Sequence, residues 1–134
     1  MAIEFSVVLV DAPGSLAHLG EVLGEAGVNI EAIQATASIQ GTTPEGVVRF
    51  VPDRPDRARR ALDSAGLPHM EREVLVVRVL DEPGALGQFA LVMSRAGINI
   101  DSVYVTTKGY VVLGVDDLPG ATHVAAGMAV MIGQ

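Results

Sequence analysis

Two acidic turns and two asparagines carry the residue types in this chain that can hold a small charged molecule. The turns are Asp11-Ala12-Pro13-Gly14-Ser15 and Asp81-Glu82-Pro83-Gly84-Ala85, and the asparagines open the dipeptides Asn29-Ile30 and Asn99-Ile100. At the start of a helix, such a turn presents backbone N–H groups where the partial positive charge favours a carboxylate. Gly14 and Gly84 let a ligand approach that backbone closely. Asp11 and Asp81 can accept an ammonium group, and Asn29 and Asn99 offer a donor and an acceptor to either end of an amino acid. Each residue also has a structural alternative. An Asp ahead of a helix can satisfy its backbone N–H groups, and Pro13 and Gly27 suit a helix start and a helix cap. An Asn opening an otherwise apolar strand costs β-propensity, which points to ligand or interface contact.

The elements that position these residues occur twice. Asp11-Ala12-Pro13-Gly14-Ser15-Leu16 returns as Asp81-Glu82-Pro83-Gly84-Ala85-Leu86, and Ala26-Gly27-Val28-Asn29-Ile30 as Ala96-Gly97-Ile98-Asn99-Ile100, 70 residues on. In both copies the Pro and the Asn are 16 residues apart. A duplication of this size implies two similar small domains, here residues 1–70 and 71–134.

In the first copy the pattern predicts a strand over residues 3–10, then a helix from Pro13 to Ala26 with Leu16, Leu19, Leu23 and Ala26 inward. Strands follow at Val28–Ile39 and Val47–Val51, joined by a turn through Gly41 and Pro44. A second helix has Ala58, Ala61, Leu62 and Ala65 inward and Arg57, Arg59 and Arg60 mostly outward. Met70–Leu80 reads as one long strand that ends the first copy and begins the second. The second copy repeats the order, with a helix Pro83–Ala96 carrying Leu86, Phe89, Met93 and Ala96 inward, strands Ile98–Thr107 and Tyr110–Val115, and a helix Pro119–Met131. Its hairpin at Lys108-Gly109 is tighter, which shifts the expected repeat offset from 70 to 64. The fold class is α+β: two ferredoxin-like βαββαβ units in tandem, antiparallel sheets with helices on one face. The second copy lacks room for a last strand, so an edge there is open, covered by another element, or completed by a second chain.

Composition excludes several functions. The formal net charge is −7 with a sequence pI near 4.7, which argues against nucleic acid and against an anionic membrane surface as partners. The chain has no Cys, so no disulfide, thiolate nucleophile or Cys-x-x-Cys metal site is available, and the expected setting is the cytoplasm. With 2 Tyr and 3 Phe and no Trp, no platform for stacking bases can be built. His18, Glu21 and Glu25 occupy neighbouring turns of one helix, but such a surface cluster reads as solvated, and neither a metal nor another cofactor is expected. No nucleophile elbow, catalytic triad or phosphate loop is present, so no enzymatic activity is expected.

The D-x-P-G-x-L turn and the G-[VI]-N-I that follows it, within a βαββαβ order, resemble the ACT domain. The resemblance covers about 25 residues in each copy. It implies a stand-alone regulatory protein that binds an amino acid or related carboxylate where two ACT units meet. The ligand would be held by the turn of one unit (Asp11, Ala12, Pro13, Gly14, Ser15, or Asp81, Glu82, Pro83, Gly84, Ala85) and the Asn strand of its neighbour (Asn29, Ile30, or Asn99, Ile100). The family's serine sensors carry a His shortly before this turn; Leu9 and Val10 stand there here, which speaks against serine. A homodimer is expected, as is an association with a metabolic enzyme. The alternative is a scaffold that binds no metabolite and docks on such an enzyme.

Overall fold

Alternation in the first strand decides which face is buried. In β1 (Ala2–Val10) Phe5 and Val7 are fully buried, and across the ladder to β3 (Glu45–Pro52) Phe5 faces Phe50 and Val7 faces Val48. The Phe5 and Phe50 rings stack with centroids 5.5 Å apart. Leu19 and Leu23 of α1 (Ser15–Glu25) and Ala58 and Leu62 of α2 (Pro55–Ser64) close this core, each pair on one helical stripe. With β2 (Ile30–Ser38) and β4 (His69–Val77), the first unit has the strand order β2-β3-β1-β4. The structure, a computed structural model, describes residues 2–38 and 44–128.

The second unit repeats the logic. Leu75 and Val77 of β4 face Leu113 and Val111 of β6 (Val111–Val115), and β5 (Ile100–Val105) pairs with the other side of β6. Phe89 and Met93 of α3 (Ala85–Arg95) and Ala121 and Ala125 of α4 (Leu118–Gly127) complete its core. The chain divides into Ile3–Arg72 and Glu73–Gln134, with Met1–Ala2 grouped with the latter, so β4 changes unit between Arg72 and Glu73.

Charged side chains tie α2 to β4. Arg59 donates to Glu71 through Nε (2.8 Å) and Nη2 (2.6 Å), and to Asp56 at 2.9 Å. The bond from Arg59 holds the Glu71 carboxyl below the usual carboxylate range. Glu4 is 1% exposed and accepts from Arg72 Nε at 3.0 Å. Among the described residues no helix is long and apolar enough to cross a membrane.

Several expectations are corrected. Pro13 and Pro83 do not open helices: α1 and α3 start at Ser15 and Ala85, with Gly14 and Gly84 as left-handed N-caps at φ 90° and 85°. Leu16 and Leu86, expected inward, are 55% and 46% exposed, because they fall in the first helical turn, beyond the core that Leu19 and Phe89 close. Ala65 and Ala96 are exposed for the same reason at the other ends, where they are C-caps. The repeat offset after the hairpin is 63, since Leu113 takes the place of Phe50 while Leu75 takes that of Phe5. The starts of α2 at Pro55 and α4 at Leu118 are 63 residues apart as well. The long strand stops at Val77, not Leu80, because β6 begins at Val111 and offers no backbone beyond Val77. Ile39, the Gly41 turn and Met131 lie outside the described residues.

Candidate functional site

The turn after β1 is built from backbone bonds. Ala12 N–H donates to Val10 O (2.9 Å), Ser15 N–H to Ala12 O (3.3 Å) and His18 N–H to Gly14 O (2.9 Å). The second copy repeats them: Glu82 N–H to Leu80 O, Ala85 N–H to Glu82 O, and Gln88 N–H to Gly84 O. The positive φ at Gly14 and Gly84 disfavours any residue with a Cβ. Neither helix N-terminus has a side-chain cap or an acidic residue in its first turn. The contrast with the other two helices is direct: Asp117 caps α4 by accepting from Gly120 N–H at 3.0 Å, and Asp56 stands in the first turn of α2. Thus, among the described residues, no carboxylate caps the positive ends of α1 and α3. The structural alternative for Asp11 and Asp81, capping of these helices, is not used.

Beside the first turn lies an open depression of about 200 Å³, lined by Val10, Asp11, Ala12, Ser15 and Leu16 and by Ala35–Ala37 at the far end of β2. Pro44 O accepts from Asp11 N–H (3.1 Å), which pins the start of β3 to the turn.

Asn29 and Asn99 sit elsewhere. Asn29 N–H donates to Asp53 Oδ1 at 2.9 Å while its carbonyl accepts from Asp53 N–H at 3.0 Å. Asn99 is clamped in the same way by Asp116, at 3.0 and 3.2 Å. A register shift follows each Asn, between Ile30 and Ala32 and between Ile100 and Ser102. Such bulges re-aim a strand locally and recur next to functional sites. Both asparagines are exposed, and among the described residues only their backbones are engaged. Asp53 and Asp116 were not singled out in the sequence. Their spacing from the Asn differs between the copies, 24 and 17 residues, because the second hairpin is shorter.

In the first unit the turn and the Asn are not brought together. The depression touches β2 at Ala35–Ala37, whereas Asn29 precedes Ile30 at its opposite end. At about 3.3 Å per residue, Ile30 and Ala37 are roughly 23 Å apart.

The profile of the ACT domain pair matches residues 1–126. The chain belongs to the ACT domain pair family. A stretch of 56 residues is 41% identical to D-3-phosphoglycerate dehydrogenase of Mycobacterium tuberculosis, covering 42% of this chain and 11% of the dehydrogenase. The chain therefore spans about a tenth of the length of that relative. Among solved structures, protein BT0572 from Bacteroides thetaiotaomicron superposes with a TM-score of 0.87 at 22% identity, over 97% of this chain and 90% of that one. The regulatory subunit of aspartate kinase from Thermus thermophilus does so with a TM-score of 0.67 at 15% identity, over 96% and 90%. These likenesses concern the fold alone.

Proposed function

We propose that the chain is a regulatory module, not an enzyme, that binds an amino acid or related small carboxylate at the boundary between ACT units. The observation that carries this reading is a helix N-terminus without a side-chain cap, together with an Asn whose backbone is clamped while its side chain is exposed. A carboxylate suits the first and an amino acid's polar groups suit the second.

The distance between the two within the first unit supports a composite site. β2 is an edge strand. Antiparallel addition of the same edge from a second copy would set the turn end of one β2 against the Asn29 end of the other. The candidate residues are then Asp11, Ala12, Pro13, Gly14 and Ser15 from one copy with Asn29 and Ile30 from its partner, and their counterparts Asp81, Glu82, Pro83, Gly84, Ala85, Asn99 and Ile100. A homodimer is part of this reading, as is a cytoplasmic setting. The similarity to D-3-phosphoglycerate dehydrogenase and to an aspartate kinase regulatory subunit supports a metabolic enzyme as the regulated partner.

The test is a thermal-shift screen against the twenty amino acids at millimolar concentration. A ligand at 100 times its Kd stabilises the folded state by about 2.7 kcal/mol. One amino acid, or a chemically related group, raises Tm, and Asn29→Ala with Asn99→Ala removes the rise. A screen with no response favours the scaffold that docks on an enzyme.

A further inference from the structure

The duplication supplies an internal control for the outer surface of each helix layer. In the first unit α1 and α2 carry seven charged residues: Glu21, Glu25, Asp56, Arg57, Arg59, Arg60 and Asp63. In the second, α3 has only Arg95, in its last turn, and α4 has none. The exchange runs position by position. At the offset of 70, Leu91 stands where the first unit has Glu21. At the offset of 63, Pro119, Gly120, Thr122, His123 and Ala126 stand where α2 has Asp56, Arg57, Arg59, Arg60 and Asp63. Six of the seven charged positions are thus uncharged in the second unit, with His counted as neutral, and at the seventh Arg95 replaces Glu25.

The exchanged positions lie away from the core. Phe89 and Met93 of α3 and Ala121 and Ala125 of α4 point inward, whereas Leu91 is 49% exposed and Pro119, His123 and Ala126 are exposed as well. Thr122 donates its hydroxyl to Leu118 O at 2.8 Å, so its polar group is satisfied within the helix. A surface helix sets charged residues opposite its core stripe, as α1 and α2 do. α3 and α4 do not, although the two helices close the core of each unit in the same way. Packing within the unit therefore does not account for the difference, and an outside surface that covers this face does.

Charge decides which surface that is. A partner face rich in charge would lose its hydration against α3 and α4 and gain no counter-charge. A second copy carries the same net charge of −7, so two copies meet most favourably through surfaces that hold no carboxylate. The α3/α4 face satisfies both conditions against itself, since neither helix contains Asp or Glu. We infer that α3 and α4 of the second unit dock on α3 and α4 of a second copy about a two-fold axis, with Leu91 and Ala126 inside the contact and Arg95 at its edge. The contact uses neither the β2 edge nor the turn and Asn residues, so it goes beyond the boundary site. Added to a β2-edge dimer it joins four copies; by itself it joins two.

The chain has no Cys, so a single introduced thiol reports on one position of the whole protein. Leu91→Cys treated with a short bis-maleimide is expected to give covalent pairs of chains at least tenfold faster than Glu21→Cys, the same position in the first unit. Leu91→Glu and Ala126→Glu, which restore carboxylates to the face, raise the dissociation constant measured by sedimentation equilibrium at least tenfold, because each change enters a two-fold contact twice. Glu21→Gln leaves that constant unchanged. Added salt tightens the wild-type contact by screening the like net charges, the reverse of what opposite charges would show. Unaltered far-ultraviolet circular dichroism establishes that the variants, all at exposed positions, are folded. A wild type that is monomeric at every concentration overturns the inference, as does Leu91→Cys that cross-links no faster than Glu21→Cys. A dimer whose dissociation constant is unmoved by Leu91→Glu and Ala126→Glu overturns this contact while leaving the β2-edge dimer standing. Loss of one association step in those variants, with amino-acid binding retained, supports a contact separate from the boundary site.

Discussion

Replacing Asp53 with Ala tests whether the Asn29 clamp exists as described. The change removes the carboxylate that accepts from Asn29 N–H at 2.9 Å but leaves the backbone bond from Asp53 N–H to Asn29 O at 3.0 Å. A hydrogen bond to a charged group contributes about 1.5–3 kcal/mol and a neutral one about 0.5–1.5 kcal/mol. This bond is exposed, so the freed N–H finds water and the cost falls below the charged range, at about 1 kcal/mol. For a chain of this size that corresponds to a Tm lowered by about 3–6 °C. The more specific readout is amide exchange. Asn29 N–H exchanges faster in Asp53→Ala, while Asp53→Asn, which keeps an acceptor oxygen, retains most of the protection. Asp116→Ala acts on Asn99 and leaves Asn29 alone. If Asn29 exchange is the same in wild type and Asp53→Ala, the clamp is not formed in solution and the argument that it presents the Asn side chain fails.

The Arg59–Glu71 pair gives a pH dependence of known sign. Because Arg59 depresses the Glu71 pKa, the pair contributes stability that is fully present above the unfolded carboxylate value of about 4.5 and is lost as pH falls through the folded one. Denaturant midpoints between pH 6 and pH 3 should therefore fall less steeply in Arg59→Ala than in wild type. Gly20 and Gly24 are exposed in α1 with nothing within 4 Å of an added Cβ. Each Gly→Ala change should stabilise the chain by about 0.5–1 kcal/mol, read from the urea midpoint. Asp117→Ala should destabilise by about 1 kcal/mol through loss of the α4 cap, and Gly120→Ala should also destabilise because its Cβ would meet the Asp117 carboxylate.

The sequence revealed most where period and punctuation agreed. The Leu19/Leu23 and Phe89/Met93 stripes, the alternation in β1 and the left-handed Gly27 and Gly97 after their helices are local consequences of residue type. Pro13 was misread because Pro is common both at the first helical position and just before an N-cap, and only the positive φ of Gly14 separates the two. The clamp was hidden for a different reason. Asp53 and Asp116 act through long-range backbone bonds, and a hairpin of different length breaks the spacing that would have matched them. The same shortening leaves Arg78–Leu80 unpaired, which periodicity in an apolar run cannot reveal. Nor can sequence spacing show that Asn29 and the Asp11 turn lie at opposite ends of β2, since the chain that joins them passes through α1.

The composite character of the proposed boundary site is tested most directly by mixing two defective proteins. One carries Ala12→Trp and Glu82→Trp, which block both turns; the other carries Asn29→Ala and Asn99→Ala. Calorimetry with the amino acid that stabilises wild type should show no boundary-site binding by either protein alone. An equimolar mixture left to exchange subunits should recover it at a fraction of the wild-type stoichiometry, because one turn and one Asn then meet intact. A mixture that stays silent while wild type binds would contradict a site shared between copies.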